Sequence, residues 1–286
     1  MKIAIASGKG GTGKTFISTN LAYIVALVEK DKKVVLCDCD VEEPNSHIFL
    51  DLDKVEEKDF SIFVPQVDLS KCDECGLCFQ KCRYKAILVL NRRVIFNPEL
   101  CHGCGLCAWI CPQKAIKEVP RPMGKIFKSR DGSLFFIQGK INVGEAMATP
   151  LIRYLKKIVP EDSFIFFDAP PGVSCPVVAT IADVDFVLLV VEPTPFGIAD
   201  FKLMIESVKK LNLNAGVVLN KVMDEESKKE AEKLAFENNL ELIKEFKFDK
   251  KVAQFYANGV LVSKVDEYYK NEFMDLWDRI KVLLKI

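Results

Sequence analysis

Apolar positions along the chain follow two periods that alternate. Short apolar runs at Lys2–Ala6 and Lys33–Asp38 flank residues 15–28, where apolar residues recur with helical spacing. Strand, glycine loop, helix, strand is a βαβ unit, which requires a parallel sheet. The pattern lapses over residues 59–123, where cysteines replace the periodic apolar positions. It resumes at about residue 124. Residues 125–137 read as a hairpin turning at Asp131-Gly132, followed by strands at 164–168, Phe186–Val191 and 215–219 and helices at 199–211 and 225–238. Residues 268–284 predict an amphipathic helix with Tyr269, Phe273, Leu276, Trp277, Ile280 and Leu284 on its apolar face. Its acidic polar face fits packing against a core better than a membrane surface, which calls for Lys and Arg. The two α/β stretches share one texture. The expected organisation is therefore a single α/β domain, 1–58 and 124–286, interrupted by a module at 59–123.

Composition narrows the function. The 286 residues carry 40 Lys+Arg against 40 Asp+Glu, and this zero balance argues against nucleic-acid binding, which needs a basic surplus. The longest apolar run, 21–28, is far short of the ~20 residues of a membrane span and reads as a buried helix face. The N-terminus lacks a secretory pattern, so the expected location is cytoplasmic. Eight of the 11 cysteines lie between Cys72 and Cys111. In a chain this long, in that compartment, they are expected to bind metal rather than form bridges.

Candidate chemistry begins directly after the first strand. Gly8-Lys9-Gly10-Gly11-Thr12-Gly13-Lys14-Thr15 fits G-x-x-x-x-G-K-[ST] between a strand and a helix. Glycines let backbone N–H groups curl around a phosphate, and the helix N-terminus adds its positive end. Lys14 is placed to neutralise the β- and γ-phosphates of ATP, and the Thr15 hydroxyl to ligate Mg²⁺.

The second lysine, Lys9, makes this segment resemble the deviant Walker A loop of the MinD/ParA group of P-loop ATPases. The resemblance implies a mostly parallel P-loop NTPase fold and an ATP-dependent homodimer in which Lys9 reaches the partner's nucleotide. It implies further roles one position at a time. In Val34-Val-Leu-Cys-Asp-Cys-Asp40, Asp40 resembles the carboxylate that orients the attacking water, and Asp38 a neighbour of the Mg²⁺ site. Asn45 resembles the switch asparagine near the phosphates. Phe164-Ile-Phe-Phe-Asp168-Ala-Pro-Pro-Gly172 resembles the Walker B strand and second switch, with Asp168 near Mg²⁺. Asn220 and Lys221 resemble the residues that read adenine. The family's later base loop is not clearly matched at 246–249. Lys9, Lys14 and Asp40 form the expected catalytic set, and the two histidines, His47 and His102, read as surface or structural residues.

The cysteine zone repeats itself with a period of 29 residues. From Cys72 and from Cys101, nine of sixteen aligned positions are identical. Cys72-x2-Cys75-x2-Cys78-x3-Cys82 and Cys101-x2-Cys104-x2-Cys107-x3-Cys111-Pro112 have the spacing of bacterial two-cluster ferredoxins, in which the fourth cysteine of each run ligates the other cluster. Cluster one then takes Cys72, Cys75, Cys78 and Cys111, and cluster two Cys101, Cys104, Cys107 and Cys82. Structural zinc is the alternative, although zinc ribbons use separated cysteine pairs. Arg83 stands where proline follows Cys111 in the second run. The combination resembles MinD-superfamily ATPases carrying an inserted α+β ferredoxin domain with two [4Fe-4S] clusters. Cys37 reads as core, and Cys39 and Cys175 as unassigned thiols.

Three functions remain open from the sequence. One is an ATPase whose dimer changes control electron transfer to a redox partner protein. Another is an iron–sulfur assembly or carrier ATPase of the Mrp type, and the last a MinD/ParA-like positioning regulator with structural or redox-sensing clusters. Four thiolates per cluster from one chain, and no C-x-x-C pair late in the sequence, favour electron transfer.

Overall fold

The computed structural model describes residues 1–90 and 93–286. In chain order the elements are β1 (Lys2–Ala6), α1 (Lys14–Val28), β2 (Lys33–Asp38), β3 (Glu56–Val67), α2 (Leu77–Lys81), β4 (Ile87–Leu90), β5 (Arg93–Phe96) and α3 (Leu106–Ile110). They continue with β6 (Ile116–Asp131), β7 (Leu134–Ile141), α4 (Thr149–Ile158), β8 (Ser163–Asp168), α5 (Cys175–Ile181), β9 (Phe186–Val191) and α6 (Pro195–Lys210). The last are β10 (Ala215–Val222), α7 (Glu225–Glu237), β11 (Glu241–Lys247), α8 (Lys250–Ala257), α9 (Val262–Val265) and α10 (Glu267–Leu284). The chain packs as two units, one of Met1–Glu57, Ile126–Lys140 and Ile152–Ile286, the other of Lys58–Lys125 and Ile141–Leu151.

The first unit is built on strands in the order β11-β10-β9-β1-β8-β2-β7, with β6 turning back beside β7 at Gly132. Pairings from β11 to β7 are parallel. β8 and β9 are buried along their whole length. That explains their near-continuous apolar sequences, since a strand covered on both faces has no polar side to alternate with. Helix α1 buries most of its surface, but Leu27 and Val28 are exposed, so the apolar run expected to be a buried face loses its cover at the helix end. Helix α10 buries Tyr269, Phe273, Leu276, Trp277 and Ile280. Trp277 meets Phe164 edge-on at 5.1 Å and its indole N–H donates to Glu29 at 2.7 Å. This satisfies the one polar atom of a fully buried side chain.

The second unit pairs β4 with β5 antiparallel, and β3 runs beside the first part of β6. The sequence Val89-Leu90-Asn91-Arg92-Arg93-Val94 reads as a short hairpin between the two cysteine runs; β4 and β5 lie on either side of it, and Asn91 and Arg92 lie outside the described residues.

Candidate nucleotide site and cysteine module

In the first unit β1, β2, β8, β9 and β10 run parallel, so the loops after them gather along one edge of the sheet. That edge is where α/β sheets bind ligands. The loop after β1 needs its glycines. Gly11 and Gly13 take φ of 79° and 94°, in the left-handed region that favours glycine. A Cβ on Gly13 would stand 2.2 Å from the Asn220 amide nitrogen, and one on Gly8 would stand 2.4 Å from the Asp200 carbonyl oxygen. Gly10, Gly11, Gly13, Lys14 and Thr15 line a solvent-open cleft holding about 1310 Å³, together with Asp40, Asn45, Asn220 and Lys221. Gly172, also at positive φ, donates its N–H to the Ser7 carbonyl at the foot of the loop.

Asp168 and Asp40 act on Lys14, and a third carboxylate, Asp38, lies against Asp168. Asp38 and Asp168 end neighbouring strands and are register partners. The Asp38 carboxylate accepts from the backbone N–H groups of Asp40 (3.0 Å), Asn45 (3.1 Å) and Ser46 (3.0 Å). The Ser46 hydroxyl donates to Asp168 at 3.0 Å. Both Asp38 and Asp168 are fully buried. Desolvation raises both carboxyls, and for Asp38 the Asp168 charge adds to it. Burial pushes Asp40 up to about 6. Burial lowers Lys14 while Asp168 and Asp40 pull it back up. One oxygen of Asp168 is buried with no hydrogen-bond partner. A hard divalent cation, which takes carboxylate oxygens, fits this atom.

Lys9 is engaged within its own chain. Its ammonium lies 3.4 Å from the Glu192 carboxylate and 3.5 Å from the Thr194 hydroxyl, after β9. Asn220 donates to the Thr12 carbonyl at 2.7 Å and Lys221 to the Gly11 carbonyl at 2.5 Å. Both therefore buttress the phosphate loop. The segment around 246–249 does line the cleft. Phe246, Phe248 and Asp249 contribute, with Val252 and Tyr256 from α8 and Tyr269 from α10. The Tyr269 hydroxyl donates to Asp249 at 2.7 Å. Sequence reasoning missed Ser46, Glu192 and Tyr256. A lone serine, glutamate or tyrosine carries no spacing signal, and each meets the site only through the fold.

In the second unit the repeat is visible as geometry. Helices α2 and α3 each follow a left-handed glycine, Gly76 and Gly105. The Cys82 sulfur accepts from the Ala86 N–H and the Cys111 sulfur from the Ala115 N–H, both at 3.3 Å. Cys72, Cys75, Cys78 and Cys111 line one hollow. Cys82, Cys101, Cys104 and Cys107 line another, which Cys78 also borders. Among the described residues no three His, Cys, Asp or Glu side chains converge to hold a single metal ion. Burial raises the Cys78, Cys101 and Cys107 thiols, the last to about 11. His102 stacks on Tyr84 at 3.7 Å and His47 is exposed. Cys37 and Cys39 are buried 3.8 Å apart, and burial raises the Cys39 thiol further. Cys175 is exposed at the start of α5.

A parallel sheet with a glycine-rich loop between β1 and α1, faced by carboxylates from β2 and β8, defines a P-loop NTPase fold. The chain belongs to the CobQ/CobB/MinD/ParA nucleotide binding domain family, whose model matches residues 3–262. It is 34% identical over 287 residues to the uncharacterized protein MJ0578 of Methanocaldococcus jannaschii, covering 98% of this chain and 96% of that one. Among solved structures it is similar to the cell division ATPase MinD of Pyrococcus furiosus, with a TM-score of 0.60, 20% identity and coverage of 99% and 98% of the two chains. It is also similar to the septum site-determining protein MinD of Pyrococcus horikoshii, solved with Mg-ADP, with a TM-score of 0.59, 18% identity and coverage of 99% and 96%. At these identities the likeness to MinD is one of fold. No helix among the described residues is long and apolar enough to cross a membrane.

Proposed function

We propose that this chain is a magnesium-dependent ATPase that controls electron transfer through two [4Fe-4S] clusters to a redox partner protein. The observation that carries the redox half is the sorting of eight cysteines around two separate hollows, with Cys72, Cys75, Cys78 and Cys111 at one and Cys82, Cys101, Cys104 and Cys107 at the other. A zinc site needs its thiolates within ~2.3 Å of one point, whereas a cubane takes each thiolate on a different iron and so needs them around a volume. Bound clusters supply one-electron chemistry. The chain's part is to hold them and set their surroundings through bonds such as Ala86 N–H to the Cys82 sulfur.

In the nucleotide half, Thr15 and Asp168 would hold magnesium, which would supply charge to offset that developing on the phosphates. Lys14 and the loop from Gly8 to Gly13 position the phosphates, Asp40 orients water, and Asn45 and Gly172 stand on the two switch segments. Asn220 and Lys221 border the base. Lys9 leaves Glu192 to reach a second copy of the chain in an ATP-dependent homodimer. The Mg-ADP in the P. horikoshii MinD structure and the family match support this half.

Anaerobically purified full-length protein is expected to contain about eight iron and eight sulfide per chain, to give an electron paramagnetic resonance signal on reduction, and to hydrolyse ATP only with magnesium. Zinc without sulfide would contradict the redox half.

A further inference from the structure

The two cysteine runs match at their ligand positions but not in charge, and the folded module sorts the difference between its two hollows. At a spacing of 29 residues, Asp73-Glu74 in the first run corresponds to His102-Gly103 in the second, and Lys81 and Arg83 correspond to Ile110 and Pro112. Asp73 and Glu74 follow the first cysteine of their run and border the hollow of Cys72, Cys75, Cys78 and Cys111. Lys81 and Arg83 flank Cys82 and border the hollow of Cys101, Cys104 and Cys107. All four charged residues are exposed. Asp73 accepts from the Cys75 N–H at 3.2 Å and the Gln113 amide at 3.0 Å, neutral donors that leave its charge in place. Among the described residues, the charges bordering the first hollow are these two carboxylates, and those bordering the second are Lys81, Arg83 and one acid, Glu118.

Two other determinants of a cluster's potential, hydrogen bonds to its sulfurs and access to solvent, are alike at the two hollows. Cys82 and Cys111 each accept a backbone N–H at 3.3 Å, and Cys75 and Cys104 are both exposed. Charge is what differs. A reduced cluster carries one more negative charge than an oxidised one, so nearby positive charge favours reduction and nearby negative charge opposes it. Charge also selects what approaches. Lys81 and Arg83 share the rim of the second hollow with Tyr84, which stacks on His102 at 3.7 Å. A rim of that sign draws in an acidic surface and turns away a basic one.

We infer that the two hollows form a directed pair, in which the second, rimmed by Lys81 and Arg83, is the electron exit and docks a partner protein with an acidic face around its redox centre. The first hollow, bordered by Asp73 and Glu74, has the lower potential and feeds the second. At the exit one electron passes to a one-electron acceptor of the partner, oxidising the donor site and reducing the acceptor, with no bond made or broken. The inference rests on the two-cluster reading of the module.

The test uses two protein probes that differ in charge alone: basic cytochrome c, and the same protein made acidic by succinylation of its lysines. Reduced full-length protein is mixed with each in a stopped-flow instrument and the haem absorbance followed. The acidic probe is expected to be reduced about tenfold faster at low salt, with the gap closing at high salt. Lys81→Gln together with Arg83→Gln is expected to abolish the gap. In a redox titration the same pair of changes is expected to lower the higher midpoint by about threefold per charge in the one-electron equilibrium, about 30 mV. Asp73→Asn with Glu74→Gln is expected to raise the lower midpoint instead and to keep the preference for the acidic probe. Iron and sulfide analysis of each variant shows that the module is intact. Equal rates with both probes at low salt, a preference for the basic probe, or a lower midpoint that follows Lys81 and Arg83 would overturn the inference. Wild-type protein that binds no iron and sulfide would instead remove the cluster reading beneath it.

Discussion

The phosphate loop and the cysteine module use glycine turns and the helices that follow them differently. In the first unit the site is made by the backbone. Its loop hangs between a buried parallel strand and the 15-residue helix α1, and the acids sit at the ends of neighbouring strands in register. The geometry therefore exists before any ligand arrives. In the second unit the candidate ligands are side chains on loops, and α2 and α3 have five residues each. Helices that short are not stable alone. Neither contains a fully buried residue. A preformed site tolerates loss of its ligand, whereas with the proposed clusters a site of this second kind depends on them, because their binding energy would also be folding energy.

Breaking the second site should give the largest effect. Cys111→Ser is expected to remove one cluster outright, cutting iron per chain by about half, and to leave ADP binding within about twofold because the P-loop site shares no ligand with it. Iron analysis and a binding titration on one preparation check both. Loss of nucleotide binding would mean that the two regions are not separable as argued.

The reciprocal change is Lys14→Ala. Removing a buried phosphate-facing ammonium is expected to weaken ATP binding by at least ~100-fold, with the visible absorbance of the clusters unchanged.

A smaller effect separates the regions by pH. In the free chain burial holds Asp40 at about 6, above the ordinary carboxylate range. Its charged form is the penalised one, so protonation stabilises the free fold as pH drops through 6, while orienting the attacking water demands the charged form. Magnesium-dependent ATP hydrolysis is expected to fall by up to about tenfold per pH unit below 6. A pH–rate profile from pH 5 to pH 8 measures this, and Asp40→Asn should leave a low rate with no break at 6. The smallest effect concerns Lys9. Glu192→Gln releases it from a partly exposed ion pair, and the expected gain in ATP-dependent self-association, read by sedimentation, is about two- to fivefold.

The strands β1, β2 and β9 follow from the sequence residue for residue, because a fully buried parallel strand is a bare apolar run between breakers. The phosphate loop follows too, since its glycines serve local φ and local crowding. What escaped was short or long-range. Helix α8 has eight residues, too few for a period to show, and strand β11 reads Glu241-Leu-Ile-Lys-Glu-Phe-Lys247 with charges that blur its alternation. The packing of Ile141–Leu151 with the second unit has no local signal. In the site, Asp38, Asp40 and Asp168 are assigned through the resemblance of their segments to the first switch and Walker B strand of the MinD/ParA group. By contrast, the Ser46 bridge, the tether of Lys9 to Glu192 and the packing of Tyr256 on Phe49 join residues that only the folded chain brings together.

The central claim is that nucleotide and electrons are linked through this chain. The direct test is a redox titration of the anaerobic full-length protein, followed by electron paramagnetic resonance, free and with magnesium plus a non-hydrolysable ATP analogue. The account predicts two reducible clusters and a shift of about 30 mV or more in at least one midpoint on adding the analogue, that is, about threefold or more in a one-electron equilibrium. Clusters that cannot be reduced, or midpoints that ignore the nucleotide while it is demonstrably bound, would contradict it.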